Sequence, residues 1–391
     1  MRIASVSIEY PGPRSRGRGL FVQRRLEALA RLEDVTVLHL EPWFPWVRPL
    51  AQATHNGHHE SPVARHLPMF YFPGVLKGLD SYWVKNAVVP AIKNLDDERP
   101  VDLIDAHFGY PEGVGCVKAT LKLNRPVFIT MRGLERPTLT QRWRGSQLLW
   151  ALKTCTGIIS VSQSLKDLAV ERGVAPEKIR VIANAVDRAT FCPGGREQAR
   201  RALGINTSGR LILSVGMLVH GKGHHLLVKA FQELHKRHDD LRLAIVGGPA
   251  HEPNYPQLLK DQVAEFGLRD VAHLPGSQTP SQVVNWLRAA DLFVLPTFDE
   301  GCCNAILEAM ACGLPVISTN VGDNALLIDP PHRGLVIPTD DWIALTEAMD
   351  AALGTPWDRS KIAGHGADYT WDEVARQTAC FFRERLQLMG A

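Results

Sequence analysis

Short apolar runs, each followed by a stretch of helix-forming residues, recur along the whole chain, and this alternation is what most limits its fold. In the first half the runs are Arg2–Ile8, Val35–Leu40, Val101–His107, Pro126–Met131, Gly157–Ser162 and Ile179–Asp187. In the second half they are Leu211–Gly216, Leu243–Gly248, Val271–Gly276, Asp291–Pro296, Pro315–Thr319 and Gly334–Ile337. Apolar runs of four to eight residues alternating with helical segments predict parallel strands covered by helices on both faces. Two such series predict an α/β protein with two Rossmann-like, doubly wound domains facing one cleft. The expected boundaries are residues 1–193, a linker over 194–205, a second domain over 206–370, and a terminal helix over 371–391. Ligands of such sheets bind beyond the carboxyl ends of the strands.

Composition narrows the class. A chain of 391 residues with 45% hydrophobic and 22% charged residues is long enough for two cores and is an ordinary globular protein. No run approaches the ~20 apolar residues of a membrane span, and Met1–Ile8 reads as a strand rather than a secretion signal. Seven cysteines at irregular spacing, two of them vicinal at Cys302-Cys303, argue against a disulfide framework and for a reducing cytoplasm. The net charge of +3 hides an asymmetry: residues 1–193 carry 26 Lys and Arg against 18 Asp and Glu, a balance of +8, and the remainder carries 18 against 23, or −5. A basic half suits nucleic acid, an anionic membrane or a phosphorylated substrate.

The most informative stretch is Asp299-Glu-Gly-Cys-Cys-Asn-Ala-Ile-Leu-Glu308-Ala-Met-Ala-Cys-Gly313-Leu-Pro315. Ala305 to Ala311 are good helix formers, Gly313 stops the helix and Pro315 prevents its continuation. The helix start, Gly301 to Asn304, offers free backbone N–H groups and the positive end of a dipole, which suits a phosphate. Glu300 and Glu308 flank it. Carboxylates accept hydrogen bonds, so they fit sugar hydroxyls better than phosphate. Isolated, such a pair reads first as ordinary surface acids at a helix N-terminus.

Three other stretches carry chemistry. Tyr10-Pro-Gly-Pro-Arg-Ser-Arg-Gly-Arg-Gly19 follows the first strand, but Gly12, Gly17 and Gly19 do not form the dinucleotide fingerprint. His107 and Arg132 each end a strand where a parallel sheet opens to its ligand. The aromatic stretch Trp43, Phe44, Trp46, Phe70, Tyr71, Phe72, Tyr82 and Trp83 reads either as a core between helices or as a lip that meets lipid or acceptor. His55-Asn-Gly-His-His59 reads as a solvated loop, since no further ligands lie at useful spacing, and no metal site is expected.

Glu300, Gly301, Asn304, Glu308-Ala-Met-Ala-Cys-Gly-Leu-Pro-Val316 and Asn320-Val-Gly322 resemble the nucleotide-sugar site of the family 4 retaining glycosyltransferases, which have the two-domain GT-B fold; the resemblance implies that the terminal helix over 371–391 crosses back to the first domain. Ser214-Val-Gly-Met-Leu-Val-His-Gly-Lys222-Gly223 is similar to that family's phosphate-binding segment, with Met217 where arginine is usual. Thr130-Met-Arg132-Gly133 and Pro42-Trp-Phe-Pro45 resemble an exopolysaccharide and teichuronic-acid-type subgroup. The resemblance implies catalytic roles for His107, Arg132, Lys222 and Glu300. It implies a nucleotide-sugar site built from Gly17, Gly19, Gly216, Lys222, Gly276, Glu300, Gly301, Cys302, Cys303, Asn304 and Glu308. Glu300 would hold the donor sugar, Gly301 to Asn304 the β-phosphate, Glu308 the ribose, and His107 a sugar hydroxyl or a proton.

The implied donor is a UDP- or GDP-sugar, the acceptor a glycan or lipid-linked glycan, with no cofactor, no metal and no nucleic acid. An anionic membrane surface is a further expected partner, given Arg14, Arg16, Arg18, Arg24 and Arg25, which would place the protein on the inner face of the plasma membrane. The alternatives are a sugar-nucleotide epimerase or hydrolase of the same fold, a non-catalytic nucleotide-sugar-binding subunit, and a nucleic-acid-binding protein. The last leaves both glutamates unexplained.

Overall fold

The computed structural model describes residues 1–12, 19–45, 62–250, 252–365 and 369–390. Gly17, Arg14, Arg16, Arg18, Trp46 and the histidines from His55 to His59 lie outside these. The chain divides into two compact units, Met1–Asn184 with Trp371–Ala391, and Ala185–Thr370.

Among its described residues the first unit holds seven parallel strands: β1 (Arg2–Ser7), β2 (Asp34–Trp43), β3 (Val63–Phe70), β4 (Leu103–His107), β5 (Val127–Met131), β6 (Gly157–Ser160) and β7 (Ile179–Val181). Their order is β3-β2-β1-β4-β5-β6-β7. The order reverses between β1 and β4, so the ligand crevice of this sheet lies beyond Ser7 and His107. β1, β4, β5 and β6 are buried along their whole length, which is why they read as continuous apolar runs. The terminal helix Trp371–Gly390 belongs to this unit. Its Phe381 and Phe382 pack on Phe128 of β5 with ring centroids 5.9 and 4.5 Å away.

Among its described residues the second unit holds six parallel strands: β8 (Arg210–Val215), β9 (Leu241–Val246), β10 (Ala272–Gly276), β11 (Leu292–Leu295), β12 (Val316–Thr319) and β13 (Gly334–Ile337), in the order β10-β9-β8-β11-β12-β13. Its switch point lies between β8 and β11. Residues 194–205, expected as a linker, instead contain the helix Arg196–Leu203. Its fully buried Arg200 donates to the carbonyls of Ala289 (2.9 Å) and Thr207 (2.9 Å) and to Asp291 (2.8 Å). A buried guanidinium with this many acceptors ties the segment to the second unit.

Two further expectations change. β3 is not among the apolar runs of the sequence; among the described residues it is an edge strand, pairing only with β2, so its polar residues and Pro68 are tolerated. Arg25, expected on a basic surface, is 1% exposed and donates to Thr378 at 3.0 Å. Burial brings its pKa down to about 10, and it contributes nothing to a membrane-facing patch. The aromatics Trp43, Phe44, Phe70, Phe72 and Trp83 contact one another with centroids 5.0–6.3 Å apart, a packed cluster rather than separate rings. No helix among the described residues is long and apolar enough to cross a membrane.

Candidate active site

At the switch point of the second unit, β8 runs into Gly216 and then into a tight turn, His220–Lys222. β11 runs into Pro296, Thr297 and the loop that carries Glu300. Gly223 joins the two: its φ is 69°, and a Cβ there would lie 1.9 Å from the Pro296 carbonyl oxygen. Only glycine permits that approach. The Phe298 N–H and the Thr297 hydroxyl both donate to the Gly221 carbonyl, at 2.9 and 3.0 Å. The result is a Lys222 ammonium that donates to Glu300 Oε1. Burial disfavours the ammonium charge, but Glu300 and neighbouring negative groups outweigh it and raise its pKa, so Lys222 is a fixed cation.

Glu300 is held from the other side by Gly322, whose φ is 55° and where a Cβ would come within 2.6 Å of the Glu300 carbonyl oxygen. The helix Asn304–Ala311 follows at once, and the side chain of its N-cap residue, Cys303, makes no capping hydrogen bond. Ile306, Leu307 and Met310 are at most 2% exposed and sit in the core of the unit. Each buried side chain contributes roughly 1.5–3 kcal/mol, so the helix start is a rigid platform. Asn304 and Glu308 are partly exposed and four residues apart, hence on one face. Cys303 is buried, its thiol pushed well above the usual range by burial, and Cys302 is partly exposed. All seven cysteines are free.

Gly216 and Gly276 lie at the same edge of this sheet: the Gly216 N–H donates to Val246 (3.0 Å), and the Gly247 N–H donates to Gly276 (3.0 Å). Thus Gly216, Lys222, Glu300, Gly301, Cys302, Cys303 and Asn304 come from the two loops at the switch point and the helix start beside them. Glu308 follows one turn along, and Gly276 ends the edge strand. Met217 is 53% exposed.

In the first unit Gly19 caps the helix Leu20–Ala30, its carbonyl accepting from Val22 (2.9 Å) and Gln23 (3.0 Å). His107 is 0% exposed. Its Nδ1 lies 2.9 Å from Arg132 Nη2, and its Nε2 lies 3.1 Å from Asp105 Oδ2. Arginine can only donate, so Nδ1 accepts and the imidazole is neutral; burial lowers its pKa accordingly. Both ring nitrogens therefore face protein groups, which departs from the expectation that His107 reaches a sugar. Burial opposes ionisation of Asp105, yet His107, Arg25 and Arg132 hold its carboxyl below the usual range.

Arg132 is partly exposed; it donates to Asn184 (3.3 Å) and lies 5.1 Å from the Phe21 ring centroid and 5.9 Å from that of Phe108. Glu135 accepts the N–H groups of Gly109 (2.9 Å), Arg132 (2.9 Å) and Gly133 (2.8 Å), tying the ends of β4 and β5 together. Asp105, Phe21, Phe108 and Asn184 were not singled out in the sequence. Asp105 was accessible there: two residues before His107 on one strand, it shares its face.

Glu112 was also missed. It is 2% exposed, and burial brings its carboxyl up to about 8, although the Ile8 N–H donates to it at 3.1 Å. A carboxyl protonated when folded and ionised when unfolded makes stability fall as pH rises from about 4.5 to about 8, by about 1.4 kcal/mol per pH unit. Glu112→Gln mimics the protonated form. Its melting temperature should match the wild type near pH 5 and exceed it near pH 8; parallel pH profiles for the two proteins would contradict this.

The expectation of no metal-ligand set also changes. His39, Glu41 and His66 of the first unit place their ligand atoms within 4.8 Å of one another. They come from two strands, 27 residues apart, so no local spacing revealed them.

Comparison with known proteins agrees with this geometry. The profile "Glycosyl transferases group 1" matches residues 195–367, and "Glycosyltransferase Family 4" matches residues 52–190. A D-inositol 3-phosphate glycosyltransferase of Frankia alni is 31% identical over 54% of each chain. The aligned segment spans about half the length of the first curated relatives it matches. A putative teichuronic acid biosynthesis glycosyltransferase of Bacillus subtilis is 27% identical over 89% of this chain and 88% of its own. Among solved structures, sucrose-phosphate synthase from Thermosynechococcus elongatus superposes with a TM-score of 0.79 at 21% identity, covering 98% of both chains. The Anabaena protein HepE, solved with UDP and glucose, does so with a TM-score of 0.77 at 17% identity, covering 98% of this chain and 100% of its own. Two sheets of Rossmann order and the two profiles matched in tandem identify a chain of GT-B fold that carries a Glycosyltransferase Family 4 domain followed by a Glycosyl transferases group 1 domain.

Proposed function

We propose that the protein is a retaining glycosyltransferase that moves a sugar from a UDP- or GDP-sugar to a glycan or lipid-linked acceptor during synthesis of a cell-surface polysaccharide. The observation that carries this is the Lys222–Glu300 pair beside the start of the helix Asn304–Ala311. A diphosphate needs a cation and free N–H groups; a sugar needs a carboxylate to accept its hydroxyls. Here all three stand together. Lys222 neutralises the diphosphate, the N–H groups of Gly301 to Asn304 receive the β-phosphate, Glu300 holds the donor sugar, and Glu308 accepts the ribose hydroxyls. The bond broken joins the sugar C1 to a diphosphate oxygen. The leaving charge falls on side-chain and backbone donors, so the transfer step itself needs no metal. Arg132 supplies a further cation to a substrate oxyanion, and His107 acts as a positioning residue that fixes its guanidinium.

The relative named for teichuronic acid synthesis, which aligns along most of both chains, supports the polysaccharide part of this reading. A sugar-nucleotide epimerase or hydrolase would use the same donor site; transfer of labelled sugar to an acceptor glycan separates the readings. Glu308→Ala should weaken binding of the nucleoside diphosphate by roughly 1.5–3 kcal/mol, the worth of a hydrogen bond to a charged group. Calorimetry on the folded variant is the check, and unchanged affinity would remove Glu308 from the ribose site.

A further inference from the structure

We propose that the first unit carries a divalent-metal site, suited to zinc, formed by His39, Glu41 and His66 at the carboxyl edge of its sheet. In the parallel register Ser7, the last residue of β1, stands beside His39 of β2, and His39 stands beside His66 of β3. Glu41 follows His39 by two residues, so both point to one face of the sheet. The three ligand atoms form a triangle. His39 Nδ1 lies 2.9 Å from His66 Nδ1, His66 Nδ1 lies 3.2 Å from Glu41 Oε1, and His39 Nδ1 lies 3.9 Å from the same oxygen.

A tetrahedral zinc with bonds of about 2.0–2.1 Å separates its ligand atoms by about 3.4 Å, and each edge of the triangle is within about 0.5 Å of that. Two imidazoles and one carboxylate are donors that zinc accepts, whereas magnesium and calcium prefer oxygen throughout. Three protein ligands leave a fourth position for a water or a substrate oxygen.

The surroundings are built for it. His39 is 5% exposed, so the site has a buried side as well as an open one at His66. Gly12, in the segment leaving β1, passes so close that a Cβ there would lie 2.7 Å from His39 Cε1 and 3.2 Å from Glu41 Oε1. A metal at this place would fasten β2 to β3. The competing occupant of the triangle is a proton: one Nδ1–H donating to the other imidazole gives the same short contact with no ion.

The test is calorimetric titration of the chelator-stripped full chain with zinc chloride, repeated on three variants. The wild type should bind one equivalent tightly. His66→Ala, at an exposed position, and Glu41→Gln, at a partly exposed one, should weaken it beyond the ~10–100-fold that losing an outer-shell partner costs. The combined His55→Ala, His58→Ala and His59→Ala variant should retain it, which separates this site from the neighbouring histidines of the sequence. Cobalt in place of zinc should give the visible absorption of a tetrahedral site. A flat titration would mean that only the proton-bridged histidine pair exists. Binding that survives His66→Ala and Glu41→Gln, or disappears with the three other histidines, would overturn the assignment.

Discussion

Replacing Lys222 with methionine should lower turnover by about 10²–10³-fold, the scale of removing one preorganised charge from a developing oxyanion. Lys222 is the cation that the second unit aims at its own switch point, fastened there by Gly223 and paired with Glu300. Methionine keeps most of the stem, so packing changes little and the loss reports charge. Glu300 would be left without its partner in a partly buried place, and a modest drop in melting temperature should accompany the lost rate. Initial rates of sugar transfer at saturating donor are the measurement, with circular dichroism to confirm the fold. Turnover near the wild-type value would move the diphosphate charge away from Lys222.

Arg132→Met should cost about 100-fold in turnover. A guanidinium can engage two phosphate oxygens at once, which a lysine cannot. Arg132 stands at the end of β5, partly exposed, between His107 and Asn184, with Phe21 and Phe108 flanking it. Those contacts orient it, and they also state the rival account, in which Arg132 only braces the ends of β4 and β5. The two are separable. A bracing role would appear as lower thermal stability with a normal rate once folded, whereas a substrate contact appears in turnover of a fully folded variant. Rate parity between Arg132→Met and the wild type would favour bracing.

The sheets were legible because buried parallel strands must be apolar on both faces, and eleven of the thirteen strands answer to runs already visible over most of their length. β7 is only the first three residues of its run, Ile179 to Val181. β3 was missed for the complementary reason: an edge strand needs no continuous apolar run. The helix Arg196–Leu203 was hidden by its polar surface, since five of its eight residues are Arg, Glu or Gln. The switch-point loops of the second unit were readable through their resemblance to a known family's motifs, in which Gly223 and Gly322 answer to close backbone approaches that a side chain would block. Roles in the first unit were not. Whether a strand-end histidine meets a ligand or a neighbouring side chain depends on residues 25 positions away, as Arg132 is from His107. The same holds for His39 and His66, joined only by strand register.

The central claim is that the second unit binds a nucleoside diphosphate sugar through Lys222, Glu300 and Glu308. Thermal unfolding of the full chain with UDP, GDP and their sugars tests it most directly. A ligand present at 100 times its dissociation constant adds about 2.7 kcal/mol to stability. The account predicts that one nucleotide series raises the melting temperature, that the sugar-bearing form does so at least as strongly, and that Glu308→Ala reduces the shift. Melting curves that none of these compounds moves, at millimolar concentration, would contradict it.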